Sequence, residues 1–287
     1  MNSGEVVLPL ILDAHVHLGL VDASALPAHG VGRVLDLGWG PGIREIAADA
    51  PVQVSYAGQF LAAPGGYPSG RGWAPPGCVA PVFSPAHAEE VVAEQVALGA
   101  AVVKVTLHAD AGPVLDVPAL SAIVAAAHRS GRQVVAHAEG QGMVGLALAG
   151  GVDVLAHTPW TERMSDDDIA RCAVGQRWIS TLDIHGHGRA TPARETAIDN
   201  LRRFHGSGGR VVYGTDLGNG PLPVGVNAGE VDALILAGLT PDDVIEAMTG
   251  DWPAPPPADT VTVVPGARDD SRLGSWLSQA RVASIEG

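Results

Sequence analysis

The chain has 287 residues, a formal net charge of −14, and 46% apolar against 17% charged residues. This composition indicates a large buried core and excludes disordered and collagen-like chains. The acidic balance, with no basic run, argues against a surface that tracks nucleic acid. At this length one α/β barrel, a fold that commonly reaches ~250 residues, fits as well as two domains. Cys78 and Cys172 are too few for a disulfide framework, lack CxxC spacing, and read as unreactive packing or surface thiols. No run of 18 apolar residues exists to span a bilayer. The N-terminus lacks a basic segment followed by a cleavage site, so a cytoplasmic protein is the expectation.

Strand-length apolar runs alternate with helical stretches along the chain. The predicted strands are 6–15, 31–37, 52–61, 101–107, 134–138, 154–157, 178–182 and 211–215. Most are Val-rich without polar alternation, as in a parallel sheet covered on its outer face. Predicted helices at 85–99, 117–129, 142–148, 166–173, 192–204, 227–237 and 241–249 separate or follow them. The helical signal is thin after strands one and three, and 65–77 is a turn-rich loop that could serve as a lid. Eight strands, most followed by a helix, predict a (β/α)8 TIM barrel over 1–250. A doubly wound sheet would need a glycine-rich phosphate turn after strand one, where the chain reads HVHLGLVD. The remainder, 251–287, reads as a Pro-rich connector, one short strand at 260–264 and a weakly structured tail.

His15 and His17 lie two apart at the end of strand one, so both imidazoles share a face, with Asp13 one layer deeper. Alone, such a pair is more often incidental than a metal site. Lys104 sits inside AVVKVTL, where burial of an ammonium is costly unless it is paired, modified or turned outward. His137, His157 and Asp216 end strands five, six and eight. Four imidazoles, an amine and a carboxylate at strand C-termini converge on the barrel face that carries active sites. His and carboxylate donors around an open position suit a catalytic metal, whereas a closed structural site favours cysteine.

These residues resemble the amidohydrolase superfamily of metal-dependent hydrolases. VVLPLILDAHVHLG resembles its strand-one entry, and VVAHAEGQGMVGLALAGGVDVLAHT its strand-five to strand-six unit, closest in wording to the prolidase and imidazolonepropionase branch. The resemblance spans about residues 6–250. It implies one metal on His15, His17 and Asp216, a second on His137 and His157, and a CO2-carboxylated Lys104 bridging them. The ions are expected to be zinc, about two per chain, although other divalent metals would fit the donors. The implied reaction is hydrolysis of a C–N bond in an amide, cyclic amide or dipeptide-like small molecule. A metal-bridging hydroxide attacks, and Asp216 shuttles the proton. The alternatives on the same barrel are a lactonase or phosphoesterase, a mononuclear deaminase with unmodified Lys104, or a binding barrel without catalysis.

Three departures from the branch concern the fold and the substrate. The N-terminal half of a flanking β-sandwich is expected to be missing, with ADTVTVVPG as a remnant of the other half. The branch's GGH after strand three is here Gly65-Gly66-Tyr67, and the position two after the strand-five His is Glu139. Substrate contacts are therefore expected from Tyr67, His108, Glu139 and His185, with His187 on the same rim and Glu139 also able to orient His137. Arg71 or Arg189 could hold a substrate carboxylate bidentately, although an exposed loop arginine is the plainer reading of each. Trp73, Trp160, Trp178 and Trp252 read as core or interface, and 166–168 as a helix cap rather than a calcium loop. The partners expected are a small-molecule substrate, no nucleic acid and no membrane. A homo-oligomer covering the shortened barrel end is also considered, though no residue argues for it.

Overall fold

The computed structural model describes residues 4–285. In chain order the elements are β1 (Glu5–Leu8), β2 (Ile11–Val16), β3 (Val31–Asp36), α1 (Ile43–Asp49), β4 (Gln53–Tyr56), β5 (Phe60–Ala62), β6 (Val79–Pro81) and α2 (Ala88–Leu98). Then follow β7 (Val102–His108), α3 (Val117–Arg129), β8 (Gln133–Glu139), α4 (Met143–Gly150), β9 (Val154–Leu155), α5 (Asp166–Gly175), β10 (Arg177–Ile179) and α6 (Pro192–Gly206). The chain ends with β11 (Arg210–Val212), α7 (Ala228–Leu236), α8 (Pro241–Thr249), β12 (Thr260–Pro265), α9 (Leu273–Leu277) and β13 (Arg281–Ser284).

The barrel consists of two parallel sheets, β2-β3-β4 and β11-β10-β9-β8-β7-β5-β6, joined at two seams. At the first seam the third barrel strand is broken: β4 pairs with β3, β5 pairs with β7, and residues 57–59 separate them. The backbone stays connected there, because Ala57 N donates to Asp36 O and Ala101 N to Tyr56 O. At the second seam Ala14 N donates to Tyr213 O, Asp216 N to His15 O and His17 N to Leu217 O. These bonds bring the eighth strand beside the first.

The alternation expected of covered strands is visible in β7. Val103, Val105 and Leu107 join the apolar layer between strands and helices, while Val102 joins the inner cluster. Lys104, Thr106 and His108 therefore share the inner face with Val102. β8 repeats this, with Val135 inside and His137 and Glu139 above it on the same face. β2 departs from plain alternation. Its pairing with β3 shifts between Ile11 and Leu12 and again between Asp13 and Val16. Leu12 and Ala14 lie in the inner cluster, and the two histidines reach the cavity beyond that irregularity.

Three expectations are corrected. The predicted strand 6–15 is two strands: β1 turns away and pairs antiparallel with β12, Glu5 opposite Pro265. The N-terminal residues thus contribute to a three-stranded sheet, β1-β12-β13, instead of leaving it to the C-terminal side alone. The tail is not weakly structured, since α9 buries Leu273, Trp276 and Leu277 and β13 pairs with β12. Leu273, Trp276, Leu277 and Ala280 do follow helical spacing, but over a segment too short to hold a helix without the packing it finds here, and β13 is a strand through its pairing. A helix that the sequence pattern missed, α1, follows β3; after β2 there are only short 3-10 turns. No helix among the described residues is long and apolar enough to cross a membrane.

Candidate functional site

A cavity of about 470 Å³ opens at the strand C-termini and is lined by His15, His17, Lys104, His137, His157 and Asp216. All six residues expected around a metal thus face one space, although 201 positions of sequence separate His15 from Asp216. The imidazole tautomers follow from their partners. Nδ1 of His15 lies 2.8 Å from Ala156 O, and Nδ1 of His17 lies 3.0 Å from Gly38 O. A carbonyl only accepts, so each Nδ1 carries the hydrogen and each neutral ring presents its Nε2 lone pair to the cavity. Those two Nε2 atoms lie 3.2 and 3.3 Å from Asp216 Oδ1, which is buried and has no hydrogen-bond donor. His15, His17 and Asp216 are the one group of three such side chains among the described residues that could hold a metal ion.

Neighbouring groups hold this triangle in place. Asn219 Nδ2 donates to Asp216 Oδ2 at 2.8 Å, which turns Oδ1 towards the histidines. Asp216 itself has φ of 62°, in the left-handed region. Asp13, expected one layer deeper on the same face, does not line the cavity. Its carboxylate accepts from His15 N, Thr215 N and Thr215 Oγ1, tying strand one to strand eight, and burial raises its pKa to about 7. Asp36, which the sequence pattern did not single out, accepts from Leu18 N and Gly38 N and braces the loop around His17.

Burial dominates the electrostatics. It holds His15 and His157 well below the ordinary imidazole value. For His17 burial acts in the same direction, but the Asp216 and Asp36 carboxylates outweigh it and its pKa rises. Burial also opposes ionisation of Asp216, yet the surrounding imidazoles hold its carboxyl well below the usual range. Lys104 is 1% exposed and makes no ion pair among the described residues. Burial lowers its ammonium to about 7, against the attraction of Asp216 and Asp36.

The other two histidines are engaged differently. His157 Nδ1 lies 2.9 Å from Thr181 Oγ1, whose backbone has φ of 44°. His137 Nε2 lies 3.0 Å from Glu139 Oε2, and the same oxygen lies 3.2 Å from His108 Nε2. Glu139 therefore bridges two imidazoles, and the His137 nitrogen expected to serve a second metal is turned to a carboxylate.

Of the expected substrate contacts, Tyr67, Glu139 and His185 line the cavity. His108 stands behind them, its ring 5.1 Å from that of Tyr67. Tyr67 stacks on His137 at 5.1 Å, and its carbonyl accepts from Thr106 Oγ1. Arg71 and Arg189 do not line the cavity; Arg71 is exposed with its guanidinium 5.7 Å from the Tyr67 ring centre. Trp73 and Trp160, read from sequence as core, are cavity walls together with Phe60. Trp160 stacks on His185 at 4.6 Å, and burial lowers that imidazole to about 4. The position of Trp160, three residues after His157, was the one local signal for its role.

No protein-family model matches the chain, and no curated protein matches it in sequence. Solved structures do match in fold. A Xaa-Pro dipeptidase with bound methionine in its active site superposes with TM-score 0.76 at 19% identity, over 99% of this chain and 87% of that one. Ochratoxinase of A. niger gives 0.75 at 19% identity, covering 96% and 81%. Phenylurea hydrolase B gives 0.73 at 14% identity, covering 98% and 85%. The chain therefore has the mixed α/β, TIM-barrel-like fold of these solved structures.

Proposed function

We propose that this protein is a metal-dependent hydrolase of a C–N bond in a small amide-like molecule. The observation that carries the reading is the triangle of His15 Nε2, His17 Nε2 and the donorless Asp216 Oδ1. Two lone pairs 3.2 and 3.3 Å from one anionic oxygen repel it unless a metal cation, or a proton on one imidazole, lies among them. The N/O donor set fits zinc first and other divalent ions after it. A bound divalent ion would polarise a carbonyl oxygen and bring the pKa of water towards ~7.

The chain's own side chains account for the remaining requirements. With Oδ1 facing the histidines, Asp216 Oδ2 is the oxygen left to take a proton from the attacking water and pass it to the leaving nitrogen. Asn219 orients that carboxylate, and Thr181 orients the His157 ring. Tyr67 and Trp160 give the cavity apolar surface beside these groups. A Lys104 amine near neutrality is a nucleophile for CO2: its nitrogen lone pair forms the N–C bond, one C=O electron pair moves to oxygen, and a proton leaves. The resulting carbamate would join His137 and His157 as donors to a second ion, once Glu139 releases His137. The His137–Glu139 pair favours a second reading, a single ion with His157 and Lys104 acting directly on the substrate.

Elemental analysis of protein expressed with zinc and bicarbonate tests both readings. Close to two ions per chain, falling to one or fewer in Lys104→Ala, is the binuclear outcome. One ion in both proteins is the mononuclear outcome, and none in either removes the metal-dependent reading altogether.

A further inference from the structure

Resting on the amide-hydrolase reading, we infer that the substrate carries a flat aromatic ring near the scissile amide and no carboxylate. The cavity is lined by two groups of aromatic side chains. Phe60, Tyr67 and Trp73 form one group, with Trp73 6.0 Å from Phe60 and 6.3 Å from Tyr67, and Trp160 stacked on His185 forms the other. Aromatic faces of this kind take up rings in offset or edge-to-face contact, which adds to the gain from burying apolar area.

The charge on those walls has the wrong sign for an acid. No arginine lines the cavity, and its one lysine, Lys104, lies with the metal-site histidines, not on the walls. Arg71, the guanidinium nearest in sequence, is exposed against the outer part of Tyr67, and Arg189 is exposed on the strand-seven loop. The wall imidazole His185 is neutral at pH 7 because burial lowers it. His187, at the rim, is exposed. The remaining charged wall group is Glu139, an anion. A carboxylate next to the scissile bond would lose its water, gain no bidentate partner and face a like charge. This sets the chain apart from a hydrolase of dipeptides or acyl-amino acids, which must pair the substrate carboxylate.

Three amides that differ in one group each decide the matter on the metal-loaded enzyme. N-acetylphenethylamine has the ring and no carboxylate, N-acetylphenylalanine adds the carboxylate, and N-ethylacetamide removes the ring. We expect kcat/KM for the first to exceed each of the others by about tenfold or more, as for pockets that leave a polar group unpaired or a large apolar contact unmade. Equal or faster turnover of N-acetylphenylalanine overturns the exclusion of carboxylates, and equal turnover of N-ethylacetamide overturns the aromatic slot. Trp73 and Trp160 also report binding by fluorescence, so dissociation constants for the three amides give the same ranking without catalysis. If none is hydrolysed yet the ranking holds, the amide-hydrolase reading fails and the ligand class stands. If N-acetylphenylalanine binds as tightly as its neutral twin, the ligand class fails.

Discussion

The two ends of the barrel differ in how their buried charged side chains are partnered. At the N-terminal end Arg33 is buried, and its guanidinium donates to Gly250 O and Ala254 O and so fastens the Pro-rich connector across the opening. Trp252, from that connector, packs on the inner apolar cluster and donates its Nε1 hydrogen to Gln133 Oε1 at 2.7 Å. At the C-terminal end Asp216 Oδ1 and His185 Nε2 are buried with no partner, and Lys104 has no ion pair among the described residues. Buried polar atoms cost free energy unless satisfied. Gln53 Oε1 and Arg132 Nε are orphaned near the N-terminal end as well, so the mark of a place kept for a ligand is that the orphaned groups at the C-terminal end face one cavity.

Substitutions can break this contrast. Arg33→Ala removes two charge-assisted hydrogen bonds to the Gly250 and Ala254 carbonyls and opens a cavity, so stability to urea should fall by about 3–5 kcal/mol with little change in metal content. A loss below about 1 kcal/mol would mean that the connector is not fastened by this contact.

Glu230 refines the contrast, because it is a buried acid at the C-terminal end that is fully used. Its carboxyl accepts from Leu182 N and Asp183 N, holding the start of the strand-seven loop beside Thr181. Burial raises its pKa from 4.5 to about 7. Between these values the folded chain keeps a proton that the unfolded chain releases, so stability from this group is complete below 4.5 and falls as pH rises to about 7. The fall should amount to up to about 3 kcal/mol, and Glu230→Gln should lack it in urea midpoints compared at pH 5 and 7. An unchanged pH slope in the variant would place the titration elsewhere.

The smallest effect is expected at Lys104. Lys104→Met removes a buried amine without an ion-pair partner at similar volume, so the apo-protein should gain about 1 kcal/mol while hydrolysis is lost. A destabilised variant would show that the amine is already satisfied in the metal-free fold.

Much of the site was legible along the chain. Val102, Lys104, Thr106 and His108 alternate with Val103, Val105 and Leu107, and period two alone places the first set on one face. The same reasoning works for His137 and Glu139. It does not foresee that the Asp13 carboxylate is taken up by Thr215, in a strand whose pairing shifts on both sides of it. It also fails for Trp73 and Trp160, which lie in loops where no period applies, and for β13, whose four residues become a strand by pairing with β12.

By itself the sequence determined the alternation of strands and helices, the strand ends on which the imidazoles, the lysine and the aspartate fall, and the net acidity. These are local properties, decided by backbone periodicity and composition. The tertiary structure alone decided that Asp216 Oδ1 stands without a donor between His15 and His17, that Glu139 claims His137, and that the arginines stay outside the cavity. Those outcomes depend on distances of a few ångströms between residues far apart in the chain, and only closure of the barrel sets them.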